Sequence, residues 1–380
     1  MSEAIARIGR GVASFEAEQW DACAGTANPF LTHAFLSALE DSGSATARTG
    51  WQPIPLAIDD ETGRLAAVTP AYVKSHSQGE YVFDHGWAVA WERAGGDYYP
   101  KLQIAVPFTP VPGRRLLVRD PALAPLLIAA AEAVVRQHGL SSAHATFIAE
   151  EEVPLFDQAG WLIRADSQFH WFNESYASFD DFLAGLSSRK RKAIRKERAA
   201  ALEGLEVQHL TGAEITEAHW DAFWAFYQDT GARKWGRPYL TRAFFSLLGE
   251  RMGDRILLIL ALQEGQAIAG ALNLIGDDAL YGRYWGTVAE VPNLHFEICY
   301  YQAIEAAIAR GLSRVEAGAQ GAHKLARGYR PVPTRSAHFI ADPGFRRAVA
   351  GFLEAERAAV ADEIEALGTM TPFRKSGAGA

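Results

Sequence analysis

The sequence predicts an α/β (α+β) protein in which one architecture is written twice: each half is a mainly antiparallel central sheet flanked by helices. Three observations carry this. First, residues 53–89, "PIPLAIDDETGRLAAVTPAYVKSHSQGEYVFDHGWAV", and residues 255–288, "RILLILALQEGQAIAGALNLIGDDALYGRYWGTV", run in the same order. Each reads strand, acidic turn with Gly, strand, Gly-containing turn and aromatic strand, closing on Gly86-Trp87 or Trp285-Gly286. Turn glycines between alternating apolar runs are hairpin signals. Second, each segment is followed by apolar residues at helical spacing, "ALAPLLIAAAEAVVRQHGL" and "LHFEICYYQAIEAAIARGL", which stop at Gly139 and Gly311. A glycine just past the last helical residue supplies a left-handed cap. Third, a short strand follows each helix, "SSAHATFI" and "SRVEAGA".

The remaining elements fall around these two cores. "NPFLTHAFLSALEDSG" is a capped helix near the start. Between the halves, "FHWFNESYASFDDFLAGLSSRKRKAIRKERAAALEGLEV" opens as an aromatic strand and continues as two helices. Ser178 caps the first, with Asp181 at its third position, and the second follows Ser187. "ITEAHWDAFWAFYQDTGARKWGRPYL" is an aromatic amphipathic helix ending near Gly231, and "TRAFFSLLGERMG" is a further helix. After Pro343 a long final helix begins. The expected division is 1–165, 166–345, and a C-terminal helix with a disordered tail over 346–380.

Bulk properties exclude several classes. The chain has 380 residues, 49% of them apolar, and a net charge of −8, an ordinary balance that does not suggest a dedicated nucleic-acid binder. The two cysteines, Cys23 and Cys299, are far apart and fit a reducing compartment better than a disulfide framework. The N-terminus has no signal-peptide core, and no apolar run approaches the roughly 20 residues that span a bilayer. A cytoplasmic location is therefore expected. There is no metal-ligand spacing and no G-x-S-x-G, so neither a metal centre nor a serine nucleophile is expected.

"NPFLTHAFLSALEDSGS", "YYPKLQIAVPFTPVPGRRLL", "LSSRKRKAIRKER", "LHFEICYYQAIEAAIARGL" and "EAGAQGAHKLARGYRPVPTRSAHF" together resemble the Fem-like family of the GNAT acyltransferase superfamily. Its members are bacterial peptidoglycan biosynthesis or recognition proteins built of tandem GNAT domains. The resemblance covers residues 25–355 or so. It implies transfer of an activated acyl group, from acyl-CoA or aminoacyl-tRNA, onto an amine, such as that of a cell-wall precursor. The alternative is a non-catalytic protein that recognises a peptidoglycan precursor or a tRNA-like polyanion. One departure from acetyl-CoA-using members stands out. Where they carry a glycine-rich, phosphate-binding loop, this chain has "GTVAEVPNLHFE" in its second half and "GRRLLVRDPALAP" in its first.

The candidate residues gather in the second half. Glu316 interrupts an apolar strand, which is costly unless the carboxylate is paired or faces a cavity; an open cleft is expected. Glu316, Glu297 and His323 are the candidate acceptors of the amine proton. Gln320, with backbone N–H groups of the small-residue loop, is a candidate holder of the oxyanion. Arg283, Lys324 and Arg327 are candidate anion binders, with Trp285, Tyr301 and Tyr329 completing a substrate wall. Arg283 and Trp285 flank Tyr284 and are expected on the same side of their strand. The helix carrying Arg189, Lys190, Arg191, Lys192, Arg195, Lys196 and Arg198 holds a single acid among seven bases. It reads as a polyanion surface or as a solvated face. In the first half, Asp84, His85, Tyr99, Lys101 and Thr109 are weaker candidates.

Overall fold

The computed structural model describes residues 5–234, 238–318 and 321–374. The chain forms two compact units, one of residues up to Asp166 with 239–244 and 333–361, the other of 167–238, 245–332 and the remainder from Asp362. The chain therefore re-enters the first unit at 333–361 instead of staying in the second up to 345. Backbone pairing is the cause, as the last strand is zipped to a strand of the first unit.

In the first unit, β1 (Ala6–Ile8), β3 (Leu56–Asp59), β4 (Leu65–Thr69) and β7 (Leu117–Val118) form one sheet in the order β1-β3-β4-β7. A second set runs β15-β8-β6-β5-β2, using β2 (Trp51–Pro53), β5 (Ala71–Lys74), β6 (Lys101–Ile104), β8 (Ser142–Ile148) and β15 (Arg330–Ile340). Pro70 separates β4 from β5, so the chain changes sheets at a residue that has no N–H to give a ladder. β6 and β8 are parallel, and the crossover between them is the helix Ala124–Gln137. That helix buries Leu127, Ile128, Ala131 and Val135 in one core with Leu102, Ile104, Ala143 and Ala145. It ends as expected, with Gly139 at φ 63°.

The second unit orders its strands β10-β11-β12-β13-β14-β9. These are β9 (Leu162–Phe172, of which 167–172 belong here), β10 (Leu205–Leu210), β11 (Ile256–Gln263), β12 (Gln266–Ile275), β13 (Ala279–Thr287) and β14 (Arg314–Glu316). β13 and β14 are parallel, and residues 294–309 form the helical crossover, ending at Gly311 with φ 66°.

The duplication is visible in the strand pairings. β5-β6-helix-β8 and β12-β13-helix-β14 agree in order and direction: an antiparallel pair, then a parallel pair across a helix. An antiparallel strand then follows β8 and β14 alike, and these closing strands are exchanged. β9, next in sequence after β8, pairs with β14, while β15, next after β14, pairs with β8.

Two expectations fail. The first-half hairpin β3–β4 leaves the main sheet, whereas β11–β12 stays in it. The Gly86-Trp87 stretch, read as an aromatic strand, is the helix His85–Arg93. Its tryptophans, Trp87 and Trp91, stand four apart on one helical face. Trp87 meets His338 and Trp91 stacks on Phe345. The true counterpart of β13 is β6. The final helix runs Pro343–Gly368. Beyond it Phe373 pairs with Leu186 and packs on Phe182, so this part of the expected tail is docked; residues 375–380 lie outside the described residues.

Candidate active site

The parallel pairing of β13 with β14 lasts three residues, Ala279 to Tyr281 against Arg314 to Glu316. β13 then runs on to Thr287 along β12. Beside this extension lies a groove of about 440 Å³ lined by Trp285, Thr287, Val291, Pro292, Leu294 and His295. Close packing fixes the other face of β13. A Cβ on Gly286 would sit 2.2 Å from the Phe226 backbone, so only glycine lets the helix Glu217–Lys234 lie against β13 here.

A bulge at Arg283 corrects the expected alternation. Leu272 pairs with Tyr284 but Asn273 pairs with Gly282, leaving Arg283 as the extra residue. Arg283 stays beside Tyr281 and Glu316, while Trp285 packs on the apolar core of the helix side. The two do not point the same way.

Glu316 does not face an open cleft. It is 2% exposed, because β14 is an interior strand with β13 and β9 on either side. Its Oε1 accepts from Arg314 Nε at 3.0 Å. Its Oε2 lies 3.6 Å from Arg283 Nη2 and 4.0 Å from His170 Nε2. Arg283 also donates to the Glu316 carbonyl at 3.2 Å, so this arginine is committed to holding β14. Glu297 is likewise enclosed, within the π turn Glu297–Tyr301. Arg198 donates to it at 2.8–3.2 Å and Gln302 at 2.7 Å. Arg198 clasps Glu305 with its other edge and stacks 4.4 Å from the Phe179 ring.

His323 is different. Its ring is exposed and its Nε2 lies 3.1 Å from the Tyr300 hydroxyl. Its ring centre is 6.5 Å from that of His295, which lines the groove. Partial burial, with Lys324 and Arg327 nearby, holds its pKa below the usual imidazole value, so it is neutral at pH 7. Gly321 makes room for it: φ is 111°, and a Cβ there would lie 2.2 Å from the His323 ring. The small residues of this loop thus admit a side chain of the chain itself.

Lys324 is 3% exposed and donates to the carbonyls of Ala317 and Gly318 at 2.7 and 3.1 Å. Burial, with Arg283 nearby, lowers its pKa to about 7. Arg327 lies 3.5 Å from the Phe296 ring and donates to Glu197 at 2.8 Å. Tyr301 donates to the same Glu197 oxygen at 2.5 Å. Tyr329 is buried edge-on against Tyr300. Gln320 lies outside the described residues. Sequence reasoning missed Glu197 as a hub, although it is the single acid in "RKRKAIRKER". That lone acid was the available signal.

The basic helix, Ser188–Ala201, is divided in its use. Arg198 belongs to the Glu297 cluster, and Arg195 pairs with Asp180 at 2.9 Å. Arg191 is half-buried and reaches the Ala184 carbonyl at 3.5 Å. Arg189, Lys192 and Lys196 are exposed and Lys190 is half-exposed. Among the described residues, no group of three or more His, Cys, Asp or Glu could hold a metal ion. No helix among them is long and apolar enough to cross a membrane.

The two units thus repeat one α/β arrangement, an antiparallel pair followed by a parallel pair across a helical crossover. The chain belongs to the FemAB-like family, described as peptidoglycan biosynthesis/recognition, which it matches over residues 11–375. Among solved structures it is similar to FemX at 12% identity, covering 88% of this chain and 98% of that one, with a TM-score of 0.55. It is also similar to the C-terminal DUF2156 domain assigned to a lysylphosphatidylglycerol synthetase from Agrobacterium fabrum, at 11% identity, 85% and 97% coverage and a TM-score of 0.53. A conserved protein of unknown function from Bacteroides thetaiotaomicron matches at 9% identity, 88% and 100% coverage and a TM-score of 0.51. At these identities the likeness concerns the fold. Comparison with curated protein sequences returned no match.

Proposed function

We propose that the chain transfers an activated acyl group onto an amine, with His323 as the proton acceptor and the groove beside β13 as the seat of the acyl donor. The observation that carries this reading is the exposed, neutral imidazole of His323, oriented by Tyr300 at the groove wall. Of the three candidate bases it is the one not held by arginine, whereas Glu297 and Glu316 are engaged by Arg198 and by Arg314. The amine would attack the donor carbonyl, forming the C–N bond as the C–S or C–O bond breaks. Its proton would pass to His323 and on to the leaving thiol or hydroxyl. Lys324, buried near its neutral form, is a second proton acceptor or a donor to the developing oxyanion.

The donor is an acyl-CoA or an aminoacyl-tRNA. The groove loop carries Pro292 and no glycine after Gly286, which favours a donor other than acetyl-CoA. Exposed Arg189, Lys192 and Lys196 suit a polyanionic donor such as tRNA. Either donor would place the reaction in the cytoplasm. The family description and the fold likeness to FemX support an acceptor amine on a cell-wall precursor. The test is a transfer assay, pairing labelled aminoacyl-tRNA and acyl-CoA donors with peptidoglycan-precursor acceptors and reading product by mass spectrometry. His323→Ala should lower the rate about 10²–10⁴-fold, the usual loss for a general base. Unchanged turnover in His323→Ala would overturn the assignment. A wild-type chain that binds a precursor without product would establish recognition in place of catalysis.

A further inference from the structure

The first unit holds a group of residues that the proposed reaction does not use. Strand alternation divides its main sheet into two unlike faces. One face, with Leu102, Ile104, Ala143 and Ala145, packs under the helix Ala124–Gln137. The other is polar and buried. Tyr72, Gln103, His144 and His338 stand opposite one another across β5, β6, β8 and β15, and none is more than 1% exposed. The adjacent rung is Lys74 against Lys101, both 0% exposed. The segment between β5 and the helix His85–Arg93 lays Ser77, Glu80 and Asp84 over this face. Lys101 spends its three protons on them, donating to Ser77 at 2.8 Å, to Glu80 at 2.7 Å and to Asp84.

Such a face is expensive, because each buried polar atom without a partner costs about 1–3 kcal/mol. Here the unpartnered atoms cluster: Tyr72 Oη, Gln103 Oε1, Glu80 Oε1, Asp84 Oδ1 and His338 Nε2. Two of the five, Gln103 Oε1 and Asp84 Oδ1, belong to an amide carbonyl and to a carboxylate held ionised by Lys101, and these only accept. Of the donors nearby, Lys101 is saturated, Tyr98 donates to Asp84 at 2.7 Å and Gln103 Nε2 donates to Thr146 at 2.9 Å, while Lys74 donates to the Gln78 carbonyl at 3.2 Å and stands 3.9 Å from Glu80 Oε1.

We propose that this polar face is a ligand site of the first unit, built for a small neutral or cationic molecule rich in N–H and O–H donors, of the amino-alcohol or amino-sugar class. The ligand's donors satisfy Asp84 and Gln103, and the Tyr72 hydroxyl, which has no hydrogen-bond partner, answers a ligand oxygen. Anions are disfavoured, since the open carboxylate oxygen of Asp84 would face them. The inference is independent of the reaction assigned to the second unit.

The test uses the full chain with glucosamine and ethanolamine as probes, and acetate and inorganic phosphate as controls. Binding is read by saturation-transfer NMR and by thermal shift. The expected result is millimolar or tighter binding of at least one amine probe and none of the anions. Tyr72→Phe should leave the free protein as stable as the wild type or more so, because it deletes an unpartnered buried hydroxyl, while weakening the probe about tenfold. Asp84→Asn should weaken the probe further, and where it unfolds the chain, Gln103→Met reports in its place. Absence of amine binding, preferential anion binding, or full probe affinity in both Tyr72→Phe and Gln103→Met would each overturn the proposal.

Discussion

The row Tyr72–Gln103–His144–His338 of the first unit and the row Tyr281–Glu316–His170 of the second occupy equivalent places. Each crosses the parallel pair and its closing antiparallel strand. Their electrostatics differ. In the second unit the row holds a full charge, Glu316, closed off by Arg314 and Arg283. In the first unit the row is uncharged and leaves polar atoms open, while the charges stand one rung away as the Lys74, Lys101, Glu80 and Asp84 cluster. A duplicated scaffold can thus spend the same positions either on locking a strand or on keeping a surface polar. The exposed imidazole of the second unit stands off the strand, at the His323 turn.

The contrast can be broken most severely at Lys101. Lys101→Met strands two buried carboxylates and should cost about 3–5 kcal/mol, the usual loss when one partner of a buried pair is removed. Urea unfolding measures it, and a loss below about 1 kcal/mol would mean the cluster is not a unit. Next comes Glu316→Gln. Gln keeps the shape and one hydrogen bond to Arg314 but leaves the arginines without their counter-charge, so about 1–3 kcal/mol of stability should go. The transfer rate should stay within a few-fold of wild type. A rate loss of a hundredfold at unchanged stability would return Glu316 to the role of base.

Acidity sharpens the comparison further. Burial pushes the Glu152 and Glu40 carboxyls of the first unit up to about 7, and pushes Glu80 up as well. Between the unfolded value near 4.5 and the folded value near 7, the native state holds protons that the unfolded chain has released. The stability from these protonated forms is therefore complete below about pH 4.5 and is lost as pH rises through 7. Unfolding midpoints should fall across that window, by on the order of 1 kcal/mol per pH unit for each such group. Glu152→Gln should flatten the slope; an unaltered pH profile in that variant would rule Glu152 out as its source. The smallest effect is expected on the basic helix. Arg189→Ala with Lys192→Ala should change stability by less than about 0.5 kcal/mol. The same pair should reduce the salt dependence of tRNA binding by about one or two in slope. An unchanged slope would leave these charges as a solvated face.

Local chemistry was legible and long-range pairing was not. Gly139 and Gly311 marked both helix ends because a left-handed cap is a property of one residue. The hairpins at Gly63 and Gly265 were legible for the same reason. The Trp87 stretch was misread because an aromatic pair beside glycine has the same letters on a helix as on a strand; the spacing of Trp87 and Trp91 held the better signal. The fate of Glu316 was half written in "SRVEAGA", since Arg314 stands two residues away on the same side of the strand. The other half, Arg283, required a bulge that no local pattern announces. The His144–His338 contact, 2.6 Å between ring nitrogens 194 residues apart in sequence, has no local signature.

The exchange of closing strands bears on how the chain is made. A protein of two sequential domains can finish its first domain while the ribosome is still working on the second. Here β8 waits for β15, whose residues 330–340 come 182 positions or more after Ile148. Until they emerge, the edge of β8 is an unpaired row of amide and carbonyl groups, the kind of edge that recruits stray strands. Growth from the N-terminus therefore leaves both halves unfinished until nearly the whole chain has been delivered, and the last strand acts as a late fastener on the first domain. Expressing the halves separately, cut near residue 166, would leave residues 167–172 of β9 with the second half but deprive the first half of β15, so the first half would begin its life with a missing edge.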